Sequence, residues 1–242
     1  MTPTRVFQPA GTTPERPSHD PLHSTTGPEV TTSLTLLEWR RQVGALYAAV
    51  RSAADPVAAW EDWRTGRDEL FRDHPDSPLP PARRGEFAGL PFPAYDASLR
   101  WEAELDPDVE PAHLEVPTGT DGIVPFDRIG RLRLPLGDLD VWSLGSYGGG
   151  VFVPVKDASA GRTSYGGGRY LLDTVKGADL GGDVDPATGR GTLVVDLNFA
   201  YHPSCAYDPA WACPLAPPGN VLPVAVAAGE SLPVDGWYST ET

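Results

Sequence analysis

The chain has 242 residues, with 19 basic and 33 acidic side chains and a formal net charge of -14. This length is enough for one domain with a substantial apolar core, and the negative charge argues against nucleic acid or an anionic membrane surface as a partner. The sequence has no apolar run of about 18 residues and no apolar segment at its start, so we expect a cytoplasmic protein whose two cysteines are thiols.

Residues 1–33 are rich in Pro, Thr and Ser and contain almost no large apolar side chain, which predicts a disordered arm. The next segment, 34–76, predicts a helical element made of two helices. In its first part, 34–54, apolar side chains recur at steps of three and four residues. Asp55 and Pro56 then have the pattern of a helix cap and first helical position, and the second helix is predicted to end near residue 73. Its arginines, Arg64, Arg67 and Arg72, are interpreted as a solvent-exposed face.

The remaining residues, 77–242, predict a β-rich domain. The 27 prolines and 26 glycines favour many turns, and polar and apolar side chains alternate from residue 99 onward. Asp121 and Gly122 mark a hairpin. Strands are predicted at 99–105, 112–116, 131–134, 139–144, 151–155, 193–199 and 221–227. Short turns favour antiparallel pairing, so we predict an α+β fold: a mostly antiparallel β-barrel or strongly curved sheet with a two-helix N-terminal element.

Three stretches are specific enough to indicate a family. They read FVPVKDASAGRTSYGGGRYLLD from Phe152, DLNFAYHPSCAY from Asp196 and CPLAPPGNVLPVAVAAGE from Cys213. Together with the helical stretch WRTGRDELF they resemble DUF1684, a bacterial family of unknown function, over roughly residues 34–230. The family pattern usually has Asn where this chain has His202, and often Thr where it has Ser159. The resemblance implies a shared fold and a shared polar site, and it implies no activity.

Polar side chains are densest around the predicted strand 193–199 and the glycine-rich segment near residue 167. In a strand, Asp196 and Asn198 point to the same face, and Tyr201 and His202 follow just beyond its end. We predict a pocket there for a small polar or carboxylate-bearing ligand. Catalytic roles are assigned to Asp157, Asp196 and His202, and ligand binding to Tyr165, Arg169, Tyr170, Asn198 and Tyr201. Arg169 is expected to hold a ligand carboxylate while an aspartate acts as acid or base, and no cofactor is specified.

The same residues are also consistent with a purely structural role. An Asp–Arg network around Arg169 fastens loops without any substrate, which favours a non-enzymatic structural or interaction domain. Glu230 is expected to be an anchor for Arg169 or Arg133. The glycine-rich loop could bind an anion or simply supply turn geometry.

Cys205 and Cys213 are separated by seven residues, and His202 lies three positions before the first of them. Four interpretations stay open: two buried thiols, a disulfide, a metal site that includes His202, and a Cys205 nucleophile activated by His202. The spacing is not one that is typical of zinc sites, so no metal ligand is assigned.

Overall fold

The computed structural model describes residues 28–118 and 122–233. The predicted disordered arm up to residue 27 and the turn residue Asp121 lie outside the described residues. The helices are α1 (Pro28–Ser52), α2 (Pro56–Asp73) and α3 (Pro81–Arg84). The strands are β1 (Arg100–Asp106), β2 (His113–Thr118), β3 (Gly122–Leu134), β4 (Gly137–Leu144), β5 (Val151–Val155), β6 (Arg169–Asp173), β7 (Gly182–Val184) and β8 (Gly191–Asp196). Short 3-10 helices cover Ala97–Leu99, Leu197–Phe199, Ser204–Ala206 and Pro218–Asn220.

One antiparallel sheet contains all of these strands. Its order is β6-β5-β4-β3-β1-β8-β7, with β2 also paired to β3. Strands β2 and β3 are antiparallel neighbours, with Thr118 of β2 opposite Gly122 of β3. Strand β3 carries an irregularity between Arg128 and Gly130, and such a bulge bends a strand and increases its twist. The α+β prediction with a strongly curved antiparallel sheet is therefore confirmed, in the form of a half-barrel.

The two predicted helices are present and pack on the sheet. Asp55 caps α2 by accepting hydrogen bonds from the backbone N–H of Val57 at 2.9 Å and of Ala58. The buried face of α2 includes Trp60 and Trp63, and the Trp60 indole N–H donates to the carbonyl of Asn198 at 3.0 Å. Helix α1 begins at Pro28 rather than at residue 34, so its first turn includes residues that we assigned to the arm. Proline is favoured in a first turn, where its missing N–H has no helical partner.

Among the residues that the structure describes, the core forms three apolar clusters. One lies between the sheet and the C-terminal segment and contains Leu139, Val153, Leu197 and Leu222. A second joins the sheet to the helices and is mostly aromatic, with Tyr47, Trp60, Trp63, Phe126, Phe152, Tyr170, Phe199 and Tyr201 among its members. A third, smaller cluster contains Phe71, Tyr165, Cys205 and Tyr207.

The strand predictions differ from the structure in several places: the predicted strand 131–134 is the end of the longer β3, and β6 and β7 were not predicted. Strand β8 ends at Asp196, and the predicted residues 197–199 form a 3-10 helix instead. The predicted strand 221–227 is not a strand, since Val221 makes only an isolated parallel bridge with Lys156. Pro223 lacks the N–H that a sheet ladder needs, but the segment still covers the sheet and buries Leu222 and Val226.

In the described part of the chain, no helix is both long enough and apolar enough to cross a membrane.

Candidate functional site

Asp196 is the last residue of β8, and its carboxylate is buried. It caps the following 3-10 helix, with the backbone N–H of Asn198 donating to Oδ1 at 3.0 Å. The Asn198 side-chain amide donates to the same oxygen at 2.7 Å, and the Tyr95 hydroxyl donates to Oδ2 at 2.8 Å. Burial raises the pKa of Asp196, and these hydrogen bonds together with Arg100 act in the opposite direction. The prediction that Asp196 and Asn198 share one strand face is wrong, because the chain turns after Asp196, although the two side chains still meet.

Asn198 holds a neighbouring segment rather than an open pocket. Its side-chain oxygen accepts from the N–H of Asp96 at 2.9 Å, and its side-chain nitrogen donates to the carbonyl of Asp96 at 2.9 Å. The side chain is 1% exposed. A buried amide with these partners works as a clamp on the segment before β1.

Asp157 and Arg169 form an ion pair inside the protein. Arg169 Nη2 contacts Asp157 Oδ2 directly, and Arg169 Nη1 donates to the carbonyls of Ala228 and Glu230. The other Asp157 oxygen accepts from the N–H of Ser159 at 2.5 Å. Burial lowers the pKa of Arg169, and the neighbouring Asp157 opposes that shift. This pair fastens β6, the loop after β5 and the C-terminal segment, which is the structural role that the sequence left open.

His202 is buried, and its two ring nitrogens face different partners. Nε2 accepts a hydrogen bond from the backbone N–H of Tyr165 at 3.1 Å, so the proton of the neutral ring lies on Nδ1, which is 3.5 Å from Glu230 Oε1. Burial lowers the pKa of His202 and favours this neutral form. Since Nε2 is engaged by Tyr165, the geometry does not support the hypothesis that His202 removes a proton from Cys205.

Glu230 is the centre of this inner network, and the sequence did not assign it a site role. It is completely buried and accepts hydrogen bonds from the Tyr207 hydroxyl and from the backbone N–H of His202 at 3.0 Å. Arg67 Nη2 lies 3.2 Å from Oε2. Burial acts to raise the pKa of Glu230, but His202, Arg67 and Tyr207 outweigh it and bring the pKa to about 2.

Two predictions that concern Arg67 and Glu230 differ from the structure. Arg67 is not on a solvent-exposed face, since its side chain is 12% exposed, and it takes the place of Arg169 or Arg133 as the cation that pairs with Glu230. Its guanidinium carbon lies 4.6 Å from the Phe71 ring centre and 4.7 Å from that of Tyr201. The sequence contains a signal for this arrangement, because Arg67 lies four residues from both Trp63 and Phe71, on the buried face of α2.

The three tyrosines of the predicted site are core residues with inward or local partners. The Tyr170 hydroxyl donates to the carbonyl of Pro214 at 2.6 Å, and the Tyr165 hydroxyl donates to Cys205 Sγ at 3.6 Å. Tyr201 packs under Arg67 and forms an edge contact with Tyr170. Tyr165 also forms an edge contact with the ring of His202.

The predicted site residues therefore do not line one common cavity. Asp196 lines a cavity of about 570 Å³ between the end of α1, the start of α2 and strands β1, β7 and β8. Tyr201 and His202 line a different cavity of about 60 Å³ beside Arg67 and Lys176. Asp157 and Arg169 line neither of them.

The larger of these two cavities is lined by five charged side chains. Its charged lining residues are Arg51, Arg100, Glu102, Asp183 and Asp196. Arg100 Nε is 3.9 Å from Asp196 Oδ2, which is beyond hydrogen-bond distance, and the Arg100 side chain is 36% exposed. Arg51 is directed to Asp179, whose carbonyl accepts a hydrogen bond from Nη1 at 2.6 Å. Sequence reasoning missed Arg51 and Arg100, which belong to elements far from β8 in the chain.

The two cysteines are free thiols, and Cys213 is only partly buried. Within residues 28–118 and 122–233, no group of three or more His, Cys, Asp or Glu side chains is arranged to hold a metal ion. The interpretation of His202, Cys205 and Cys213 as metal ligands therefore has no support in the geometry.

Known proteins share this fold. The solution NMR structure of an uncharacterized protein from gene locus rrnAC0354 of Haloarcula marismortui is similar, with 30% sequence identity and a TM-score of 0.51, over 74% of this chain and 95% of that chain. Among proteins with curated descriptions, none matches this chain. The family model described as a protein of unknown function, DUF1684, matches residues 85–231, which is more than half of the chain. The resemblance that the sequence indicated is thus confirmed, and the chain belongs to the DUF1684 family.

Proposed function

We propose that the protein binds a small polar ligand that carries a carboxylate, and that the ligand occupies the cavity of about 570 Å³ beside β8. One observation carries this proposal. The partly exposed Arg100 and the buried carboxylate of Asp196 lie side by side in the lining of the same cavity. Pockets that combine a few converging polar groups with a residue of shifted pKa are the usual sites of small ligands.

Arg100 is the residue that would receive the ligand carboxylate. Its guanidinium is planar and permanently charged, and such a group pairs with carboxylates through two parallel hydrogen bonds. Because the nearest Asp196 oxygen is 3.9 Å from Nε, the guanidinium can turn to a ligand without breaking a close hydrogen bond to Asp196. Arg51, which also lines the cavity, adds a second positive charge.

The acidic side chains of the lining narrow the class of ligand. Three acidic residues line the cavity. Glu102 and Asp183 are exposed, and Asp196 is buried. A ligand with only negative charge would meet these three carboxylates, whereas one with a carboxylate and an amine would match both signs. We therefore propose a small zwitterion of the amino-acid type. Acid/base catalysis on it would belong to Asp196, whose pKa burial raises.

The test is a titration of the purified full chain with a panel of free amino acids, small carboxylates and small amines, followed by calorimetry. We expect saturable binding of at least one zwitterion and weaker or no binding of the amine or carboxylate that lacks one of the two charges. The Arg100→Gln variant is expected to weaken binding about tenfold or more, as the loss of a charge-assisted hydrogen bond predicts.

The matched control is Arg133→Gln, which makes the same chemical change at an arginine outside the cavity that is 60% exposed. It is expected to leave binding unchanged. Binding by no member of the panel, or an equal loss in Arg100→Gln and Arg133→Gln, contradicts the proposed site.

A second candidate function is a non-enzymatic structural or interaction domain. The complete burial of the Asp157–Arg169 pair and of Glu230 supports it, since these polar side chains hold loops together with internal partners. The same titration distinguishes the two candidate functions, because a purely structural domain would show no saturable binding of any ligand in the panel.

A further inference from the structure

Cys205 and Cys213 form a pair of interacting thiols at the border of an apolar cluster. Cys205 lies in the 3-10 helix Ser204–Ala206 and is buried, and Cys213 packs against the same cluster from the following loop. Each thiol is also the first influence on the pKa of the other, which agrees with their packing in the same small cluster. The chain has two cysteines in total, so each has one possible partner within the molecule.

The two thiols are not equivalent. Cys213 is partly accessible, and its pKa is lowered, first by the hydrogen bond from Cys205 and also by the charge of Lys176. The pKa of Cys205 is raised by the same hydrogen bond and by burial. The Tyr165 hydroxyl, 3.6 Å from Cys205 Sγ, further fixes the inner sulfur. An accessible sulfur with thiolate character is the one that reacts with a disulfide.

We propose that Cys205 and Cys213 are a thiol–disulfide switch, in which Cys213 attacks a low-molecular-weight disulfide and Cys205 then closes an intramolecular bond. Two cysteines that pack in the same small cluster need only a local rearrangement to reach the disulfide length of about 2.05 Å. In the reducing cytoplasm that we expect for this protein, the dithiol form is the resting state.

The exchange with the small disulfide takes place in two steps. The Cys213 thiolate forms a bond to one sulfur of the small disulfide RS–SR, and the second sulfur leaves as the thiolate RS⁻. Cys205 then loses its proton to solvent and attacks the Cys213 sulfur, which releases the other RS⁻. The protein loses two electrons and two protons in forming the Cys205–Cys213 bond, and the small disulfide is reduced to two thiols.

The loop between the cysteines is the part of the molecule that the bond would restrain. It contains Trp211, which is 45% exposed, and it is followed by Pro214, whose carbonyl accepts the Tyr170 hydroxyl at 2.6 Å. Oxidation would therefore tether an exposed loop to Tyr165 and Tyr170 in the core.

The experiment incubates the native full chain with oxidised glutathione and follows free thiols and intact mass over time. We expect loss of both thiols, a mass decrease of two hydrogen atoms, and a monomer that regains both thiols with a reducing agent. Peptide mapping of the oxidised protein should link the peptide of Cys205 to that of Cys213.

Two single variants test the order of events. Cys205→Ser is expected to stop at a glutathione adduct on Cys213, because the resolving thiol is absent. Cys213→Ser is expected to react at least tenfold more slowly at Cys205. Melting curves of the reduced variants show whether each one is folded. The result for the wild-type protein does not depend on either variant.

Three outcomes overturn the proposal. They are two thiols that persist in the wild type, an adduct that never resolves to the internal disulfide, and a disulfide that forms between molecules rather than within one. None of these outcomes depends on the ligand of the larger cavity, so the switch and the proposed function fail separately.

Discussion

Arg67 and Glu230 are separated by 163 residues in the chain, yet Arg67 Nη2 donates to Glu230 Oε2 at 3.2 Å in the interior. This contact joins helix α2 to the C-terminal segment across the aromatic cluster. Tyr207 and the backbone of His202 complete the set of donors around the carboxylate. The network therefore connects parts of the fold that no sheet hydrogen bond joins.

Removal of Arg67 should strongly destabilise the protein. In Arg67→Met the Glu230 carboxylate stays buried without its cation, and such a loss typically costs about 3–5 kcal/mol. The measurement is the free energy of unfolding in urea at neutral pH.

The control for this prediction is Arg41→Met, at an exposed position of α1. We expect it to change the free energy of unfolding by less than about 0.5 kcal/mol. Equal effects of the two variants would contradict the structural role of the Arg67–Glu230 pair.

His202 should make the stability depend on pH in mildly acidic solution. The unfolded chain takes up a proton near the ordinary histidine pKa of 6.5, whereas burial lowers the pKa of the folded ring. The unfolded state then binds more protons, so the free energy of unfolding falls as the pH drops below 6.5, by up to about 1.4 kcal/mol per pH unit. Glu230 adds little to this slope, because its stabilisation is lost only as the pH falls from 4.5 towards about 2.

The variant His202→Gln isolates this effect. A glutamine side chain is long enough for its amide oxygen to take the place of Nε2 and accept from the Tyr165 N–H, and an amide does not titrate. We expect His202→Gln to fold and to lack the decrease in unfolding free energy between pH 6.5 and pH 5.5 that the wild type shows. Parallel urea titrations at the two pH values measure it, and an unchanged slope in the variant would refute a neutral buried His202.

The Asp157–Arg169 pair should behave as a structural unit in a double-mutant cycle. Arg169→Met alone leaves the Asp157 charge buried, and Asp157→Leu alone leaves the Arg169 charge buried. The double variant removes both charges, so its cost should be smaller than the sum of the single costs, by about 2 kcal/mol or more. Thermal or urea unfolding gives the three values.

The same double variant separates structure from ligand binding. Because Asp157 and Arg169 do not line the cavity beside Asp196, a folded double variant should bind the zwitterion found by titration as the wild type does. Loss of binding in a variant that is still folded would return Arg169 to the role of a ligand clamp.

Periodicity was enough to predict the helices and most of the strands. The spacing of Trp60 and Trp63, the cap at Asp55 and the alternation after residue 99 are local features, and each is present in the structure. The strand predicted at 221–227 failed because Pro223 removes a ladder donor, although the apolar pattern there is correct for a covered segment. Local patterns predict which residues are buried better than which hydrogen bonds they make.

The polar residues show what a sequence by itself determines. The sequence pattern correctly indicated that the segment from residue 157 to residue 202 contributes polar side chains to the interior. These side chains are Asp157, Arg169, Asp196, Asn198 and His202. The pattern did not determine their partners, because Arg67, Glu230, Tyr95 and Asp96 come from distant positions. The curvature of the sheet and the docking of α2 decided that these side chains form two separate groups, and that Arg51 and Arg100 meet Asp196 at a cavity. The physical reason is that a buried charge or amide must find its partner in space, and a one-dimensional pattern records only the need for that partner.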